Sequence, residues 1–331
     1  MSTHVTILVP GFGYPSPVIG PYEVFTSAGV LWSTLRGEQQ LAAPFDVVTA
    51  SETGRTIRYD GGLAIKPDKA VSQIRRTDVV FVPSIGLDID EVLESNPGTL
   101  RFLKRQADKG ATIAGVCTGV AILAEAGLLS GRPATTHWAL ADKYRQRYPN
   151  VDWKPELFIT QSDNIFCGGG VYAALDLCLC LVERLAGYEV AKQTARSLLI
   201  DPPRTWQASF SVPLLNQQHH DEKIQAAQDY LHEYFNAQFT MDELARRIGM
   251  SPRNFARRFK IATGKTPLGY LHDLRINCAR QLLETDYKSV QEVCFEVGYE
   301  DVPFFRSIFK RHTGISPKEY KQRFAVGVAA T

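Results

Sequence analysis

The last third of the chain repeats itself. Phe255, Phe259, Lys260, Thr263, Gly264, Pro267 and Tyr270 return as Phe305, Phe309, Lys310, Thr313, Gly314, Pro317 and Tyr320, each pair 50 residues apart. Self-similarity at a fixed offset means that one supersecondary unit has been used twice. In the first copy, Asp242 to Ile248 predicts a short helix with Leu244, Ala245 and Ile248 on its apolar face, and Gly249 and Met250 break it. Ser251 is placed to cap the next helix, and Pro252 suits that helix's first position. Helical spacing puts Arg253, Arg257 and Lys260 in a stripe about 60° wide, with Phe255 and Phe259 turned the other way. A short helix, a tight turn and a second helix with aromatics behind and cations in front form a helix-turn-helix pattern. Outward arginines there can hold phosphate oxygens or grip guanine in the major groove.

The second copy runs from Ser289 through Val293, Cys294 and Val297 to Gly298, then from Asp301 to His312, with a turn one residue longer. Leu268 to Glu284 predicts a helix joining the copies. Two reading helices on one rigid linker can enter major-groove segments about 34 Å apart. The bland alternative is a merely solvated arginine face. The duplication and the repeated Gly-x-x-Pro-x-x-Tyr ending argue against it.

Residues 221–324 resemble the AraC/XylS DNA-binding domain throughout. The resemblance implies a base-contacting Arg two residues before the final Phe of each reading helix. That residue is Arg257 in the first copy but Ser307 in the second, and Arg253 is matched by Pro303. The candidate DNA contacts are therefore Arg253, Asn254, Arg257 and Lys260 in the first helix, and Arg306, Ser307 and Lys310 in the second. The first helix is expected to carry most base specificity, with Arg306 and Lys310 better placed for the backbone.

The chain's 331 residues and 44% apolar content predict two cored domains. From position 221 onward there are 17 Lys/Arg against 14 Asp/Glu, so the tail is basic on its reading faces rather than in bulk. Met1 leads straight into a strand-like Val5–Val9, and no signal peptide is expected. The apolar run Ala173–Val182 is too short to cross a membrane and contains Asp176. Cys178 and Cys180 lie two apart in a predicted helix and point to different sides, which argues against a metal clip or disulfide. A cytoplasmic protein without metal or cofactor is expected.

In the first two-thirds, Val5–Pro10, Phe45–Ala50, Asp78–Pro83 and Thr112–Val116 read as strands, while 20–33, Pro97–Lys109 and Thr118–Leu128 read as helices. Such alternation predicts a parallel sheet covered on both faces, with ligands beyond the carboxyl ends of the strands. At one such end Gly115, Val116, Cys117, Thr118 and Gly119 form a sharp strand-to-helix elbow. A thiol at a helix N-terminus is expected to have a lowered pKa and an anion-binding setting. His137 has two readings, an imidazole within reach of Cys117 or a hydrogen-bonding residue at a strand end. Gly168, Gly169 and Gly170 predict close packing ahead of a helix over Val171–Leu185, and Trp153 and Trp206 read as packing residues.

The Gly115–Gly119 elbow, the run Leu123–Arg132 and Ala134–Trp138 resemble the DJ-1/PfpI superfamily, a glutamine-amidotransferase-like fold, from Val5 to about Ala186. Joined to an AraC-type tail, this arrangement resembles the GlxA type of transcriptional regulator. The implied fold is a flavodoxin-like α/β sandwich followed by an all-α domain with two helix-turn-helix units. The implied domains are 1–186 for sensing and dimerisation, a helix and linker over 187–220, and 221–331 for DNA.

Enzymes of the superfamily use the elbow cysteine, a histidine and a carboxylate four residues before the Pro of a Gly-Pro pair. Here Gly20 and Pro21 put Pro17 at that place, so the usual acid is missing, with Glu23 one turn further as a substitute or a helix-end charge. The stretch that often reads Pro-Gly-Gly is Pro83, Ser84, Ile85, Gly86. The front domain is therefore expected to bind rather than catalyse, its candidate ligand contacts being Glu23, Ser84, Ile85, Cys117, Thr118 and His137. The implied partners are double-stranded DNA, a small-molecule effector such as a nitrogen-containing metabolite, a second copy of the chain and RNA polymerase. A cysteine-dependent hydrolase, hydratase or lyase with a DNA-binding tail is the alternative.

Overall fold

In the computed structural model of the chain, residues 2–38, 42–201, 219–285 and 288–325 are described. The chain divides into two compact units, Met1–Gln207 and Ala208–Thr331.

The first unit opens with β1 (Thr3–Leu8), α1 (Ser16–Ser27), α2 (Leu31–Arg36) and β2 (Phe45–Ser51). Three two-residue strands follow, β3 (Ile57–Arg58), β4 (Ala64–Ile65) and β5 (Lys69–Ala70). Next come β6 (Val79–Val82), α3 (Ile89–Ser95), α4 (Pro97–Asp108), β7 (Thr112–Val116) and α5 (Gly119–Glu125). The unit ends with β8 (Pro133–Ala134), α6 (Ala141–Arg147), β9 (Asp152–Trp153), β10 (Ile159–Ser162), β11 (Ile165–Gly168), α7 (Ala173–Ala186) and α8 (Tyr188–Ser197).

Among the described residues the main sheet has the order β10-β11-β7-β6-β1-β2-β5. It is parallel except where β10 meets β11. Every residue of β6 and β7 is buried, as a parallel sheet covered on both faces requires. One face packs Ile7, Phe81 and Phe166 under Phe25 of α1, Leu177 of α7 and Ala191 of α8. The other packs Leu8, Val80 and Ile113 under Phe102 of α4, Leu123 of α5 and Tyr144 of α6.

The single helix expected over 20–33 is instead two. α1 begins at Ser16, and the chain breaks at Gly29, whose φ is +71° and where a Cβ would sit 2.9 Å from Pro44 Cδ. The segment expected as helix and linker starts with α8, packed on α7. Pro202, Pro203, Trp206, Pro213, Gln217 and Gln218 lie outside the described residues.

The second unit is helical: α9 (Glu222–Tyr234), α10 (Met241–Arg247), α11 (Pro252–Thr263), α12 (Pro267–Thr285), α13 (Val290–Glu296), α14 (Val302–Thr313) and α15 (Pro317–Phe324). The repeat is visible in its packing. Phe255, Phe259 and Tyr270 form an edge-to-face ladder at 5.5 and 5.4 Å, and Phe305, Phe309 and Tyr320 rebuild it at 5.7 and 5.4 Å. Each ladder anchors its own core. Capping boxes start α10 (Thr240 with Glu243) and α13 (Ser289 with Glu292). Left-handed Gly264 and Gly314 end both reading helices. Ser251, expected to cap α11, makes no side-chain cap bond, whereas its counterpart Asp301 accepts from Phe304 N–H at 2.6 Å.

Candidate functional sites

At the elbow, β7 ends and Cys117 turns the chain into α5 with φ of +55°, a left-handed conformation that a non-glycine residue adopts only under constraint. Hydrogen bonds hold it and the next residue there. Cys117 N–H donates to Gly168 O (2.8 Å), Thr136 Oγ1 donates to Cys117 O (2.8 Å), and Thr118 Oγ1 accepts from Ile85 N–H (2.9 Å). Ser84 Oγ lies 2.9 Å from Thr118 Oγ1, so the loop after β6 and the elbow share one buried hydroxyl pair. Gly119 makes this possible, since it leaves no room for a side chain against the Pro83 carbonyl.

The expected lowering of the Cys117 pKa is overturned. Burial pushes the thiol up, and hydrogen bonds from Ser84 and Thr118 only partly oppose it. Cys117 is 5% exposed, and α5 begins two residues later, so desolvation outweighs the helix end. The thiol is therefore protonated near neutral pH, a poor state for a nucleophile.

Ser84, Cys117 and Thr118 come together as the sequence suggested. Ile85 does not face an open cup: it is 1% exposed and packs with Leu8, Val82 and Val92 in the core. His137 caps the short turn Trp138–Leu140, its Nδ1 accepting Ala139 N–H at 3.2 Å, and burial pushes its pKa down. Gly170 passes close to that ring, 3.9 Å from an added Cβ to Cδ2. Glu23 is on the exposed face of α1, whereas Pro17 and Pro21 are on the buried one; because α1 starts at Ser16, Glu23 lies past the first turn and is not the helix-end charge expected.

Tyr144 of α6 escaped the sequence reading, since its spacing marks only an amphipathic helix. Its ring is 1% exposed and packs 5.5 Å from Trp153, yet its hydroxyl has no hydrogen-bond partner among the described residues. Burial raises its pKa, and charge on Cys117 would raise it further.

In the second unit, Arg253, Arg257 and Lys260 are exposed along α11, and Arg257 Nη2 donates to Asn254 Oδ1 at 3.1 Å. Arg258, one residue on, is spent inside the unit on a two-pronged pair with Asp221 (Nε–Oδ2 2.9 Å, Nη2–Oδ1 2.6 Å). On α14, Arg306, Ser307 and Lys310 are exposed, as are Phe304 and Arg311. The cations have moved rather than vanished: Arg306 and Arg311 stand where the first copy has Ala256 and Ile261. An offset comparison extended past the shared residues would have found Arg311.

Residues 18–184 match the DJ-1/PfpI family, and residues 244–323 match a helix-turn-helix domain. The HTH-type transcriptional regulator ArgR of Pseudomonas aeruginosa is 31% identical over 229 residues, 69% of each chain. The HTH-type transcriptional regulator GlxA of Rhizobium meliloti is 25% identical over 282 residues, 84% of this chain and 86% of that one. A ThiJ/PfpI family protein from Pseudomonas syringae superposes with a TM-score of 0.53 at 22% identity, covering 76% of this chain and 92% of its own.

Proposed function

The chain belongs to the GlxA-type transcriptional regulators, a DJ-1/PfpI domain joined to an AraC-type helix-turn-helix domain, and on that premise we propose that its first domain binds a small effector at the Cys117 elbow. The observation that carries this is the buried hydroxyl set around a protonated thiol. Ser84 and Thr118 pair at 2.9 Å beside Cys117, and the Tyr144 hydroxyl is unspent among the described residues. Such a site offers donors and acceptors to a small polar molecule, and a nitrogen-containing metabolite with a carboxylate suits it. His137 stands at its edge and Ile85 backs it from the core, while Glu23 lies past the first turn of α1 and adds no helix-end charge.

Binding rather than catalysis is the reading we adopt. Pro17 occupies the usual acid's place and can neither accept nor transfer a proton, and the raised thiol pKa disfavours attack. Arg253, Asn254, Arg257 and Lys260 read bases or hold phosphates, while Arg306, Ser307 and Lys310 contact the second segment. Activation through RNA polymerase, in the cytoplasm and as a homodimer, completes the proposal. Exposed Ile19 and Tyr22 of α1, Leu185 of α7 and Tyr188 of α8 support pairing of the first domains. Effector coupling requires a ligand that favours one arrangement over another.

Thermal-shift screening of the full chain with amino acids, amines and their derivatives tests this. A specific shift that is lost in Ser84→Ala and Cys117→Ala is expected. Turnover of a hit, abolished by Cys117→Ala, would instead make the domain an enzyme.

A further inference from the structure

The two reading helices end on the same carboxylate. Lys265 follows Gly264, the cap of α11, and its Nζ lies 2.6 Å from Asp273 Oδ2. His312, in the last turn of α14, places Nδ1 3.0 Å from Asp273 Oδ1. Asp273 sits on α12, the helix that joins the copies, and its side chain is only 11% exposed. Each oxygen thus serves a different helix-turn-helix unit.

This bridge is not part of the repeated unit. At the 50-residue offset, Lys265 is matched by Ile315, His312 by Ala262 and Asp273 by Arg323. The three residues break the repeat at matching places, so the contact exists only between the copies. The rest of the joint runs through backbone carbonyls and a phenol. Arg275 donates to Phe235 O (2.7 Å) and Ala237 O (3.0 Å), Gln238 donates to Gly298 O (3.0 Å), and His272 Nδ1 lies 2.8 Å from Tyr299 Oη. Those contacts hold the turn of the second unit against the first. The Asp273 bridge reaches from the C-terminal end of one reading helix to that of the other.

We propose that Asp273 is a positioning residue for DNA recognition: by tying Lys265 and His312 to one carboxylate, it fixes the spacing and angle between α11 and α14, so that both helices engage only DNA whose two contacted segments are correctly phased. It touches no base or phosphate. Its effect is on the coupling between the two half-contacts, which is where rigidity enters affinity.

The test uses the full chain and a duplex it selects from a random pool. Binding is measured to that duplex, to versions with one base pair added or removed between the two contacted segments, and to versions with either segment scrambled. One base pair moves the segments by about 3.4 Å along the axis and rotates them around it, so the parent protein should discriminate sharply. Asp273→Asn keeps the shape and removes the charge. It should lower affinity for the selected spacing by about tenfold while leaving binding to the singly scrambled duplexes within about twofold, and it should flatten the spacing dependence. His312→Gln, which cuts only the arm to α14, should flatten the profile in the same direction. A spacing profile as steep as the parent's in folded His312→Gln overturns the proposal, even if Asp273→Asn does not fold. So does an equal loss on full and scrambled duplexes, which would mark a merely structural role. Loss of all DNA binding by the parent would instead sink the DNA-reading function on which the proposal rests.

Discussion

Gly119 approaches the backbone of Pro83 so closely that a Cβ would stand 2.1 Å from the carbonyl oxygen and 2.8 Å from that of Val82. Both neighbours are backbone at the end of a central strand and cannot swing aside. Gly119→Ala must therefore push α5 away from β6 or break the Ser84–Thr118 pair. A loss of about 2 kcal/mol or more is expected, read as a lower melting temperature of the first unit's transition. An unchanged melting temperature would mean the elbow is looser than this geometry.

Cys117 should behave as a shielded thiol. With its pKa raised by burial, alkylation by iodoacetamide should be slow at neutral pH and should speed up only above the ordinary thiol value. Ser84→Ala removes a hydrogen bond that lowers the pKa, so it should shift the rate profile further to alkaline pH. The sign for stability follows. The unfolded thiol ionises first as pH rises, so this group's stabilising contribution is complete below the ordinary thiol pKa and fades above it. Mass spectrometry of labelled Cys117 across pH checks the first part; rapid labelling at pH 7 would contradict it.

For DNA, Arg253→Ala and Arg257→Ala should each cost about 1–3 kcal/mol and relax base preference, because both lie exposed on α11. Lys310→Ala should weaken binding evenly across sequences and reduce the salt slope by about one. Competition binding with sequence variants distinguishes the two patterns. Asn254→Ala should partly mimic Arg257→Ala, since Asn254 Oδ1 holds the guanidinium at 3.1 Å.

Much of this was legible in the sequence because it rests on periodicity. The 50-residue offset foretold two helix-turn-helix units, aromatics behind the reading helix and a second turn one residue longer, all set by local spacing. The strands β6 and β7 announced themselves as short β-branched runs. What escaped depends on contacts distant in the chain. Burial of Cys117 reversed the pKa that a helix end alone suggests, and Ile85 turned out to fill the core. Arg258, within the reading helix, is claimed by Asp221, 37 residues earlier. Spacing within a helix fixes a face, not the partner that face meets.

Asp221 illustrates that coupling and can be tested on its own. It accepts Ile224 N–H at the start of α9 and pairs with Arg258 of α11, which holds its carboxyl below the usual range. A lowered folded pKa means the stabilising contribution is present above the unfolded carboxylate value and is lost as pH falls through the folded one. Asp221→Ala should cost about 1–2 kcal/mol as a lost cap and pair, with a smaller penalty in acid than at neutral pH. Urea titrations at pH 7 and pH 3 measure the difference, and equal penalties at the two would refute it.

Tyr144 offers the sharpest separation of stability from function. A buried hydroxyl without a partner costs about 1–3 kcal/mol in an empty protein, so Tyr144→Phe should raise the melting temperature of the ligand-free chain. If the hydroxyl exists to meet the effector beside Cys117, the same substitution should shrink the shift the effector produces. The two effects have opposite signs on one instrument. A residue kept only for packing would show the first without the second, because its ring contacts with Trp153 and Tyr148 survive in phenylalanine. Stabilisation with an undiminished effector shift would therefore remove Tyr144 from the binding site and leave Ser84 and Thr118 to carry it.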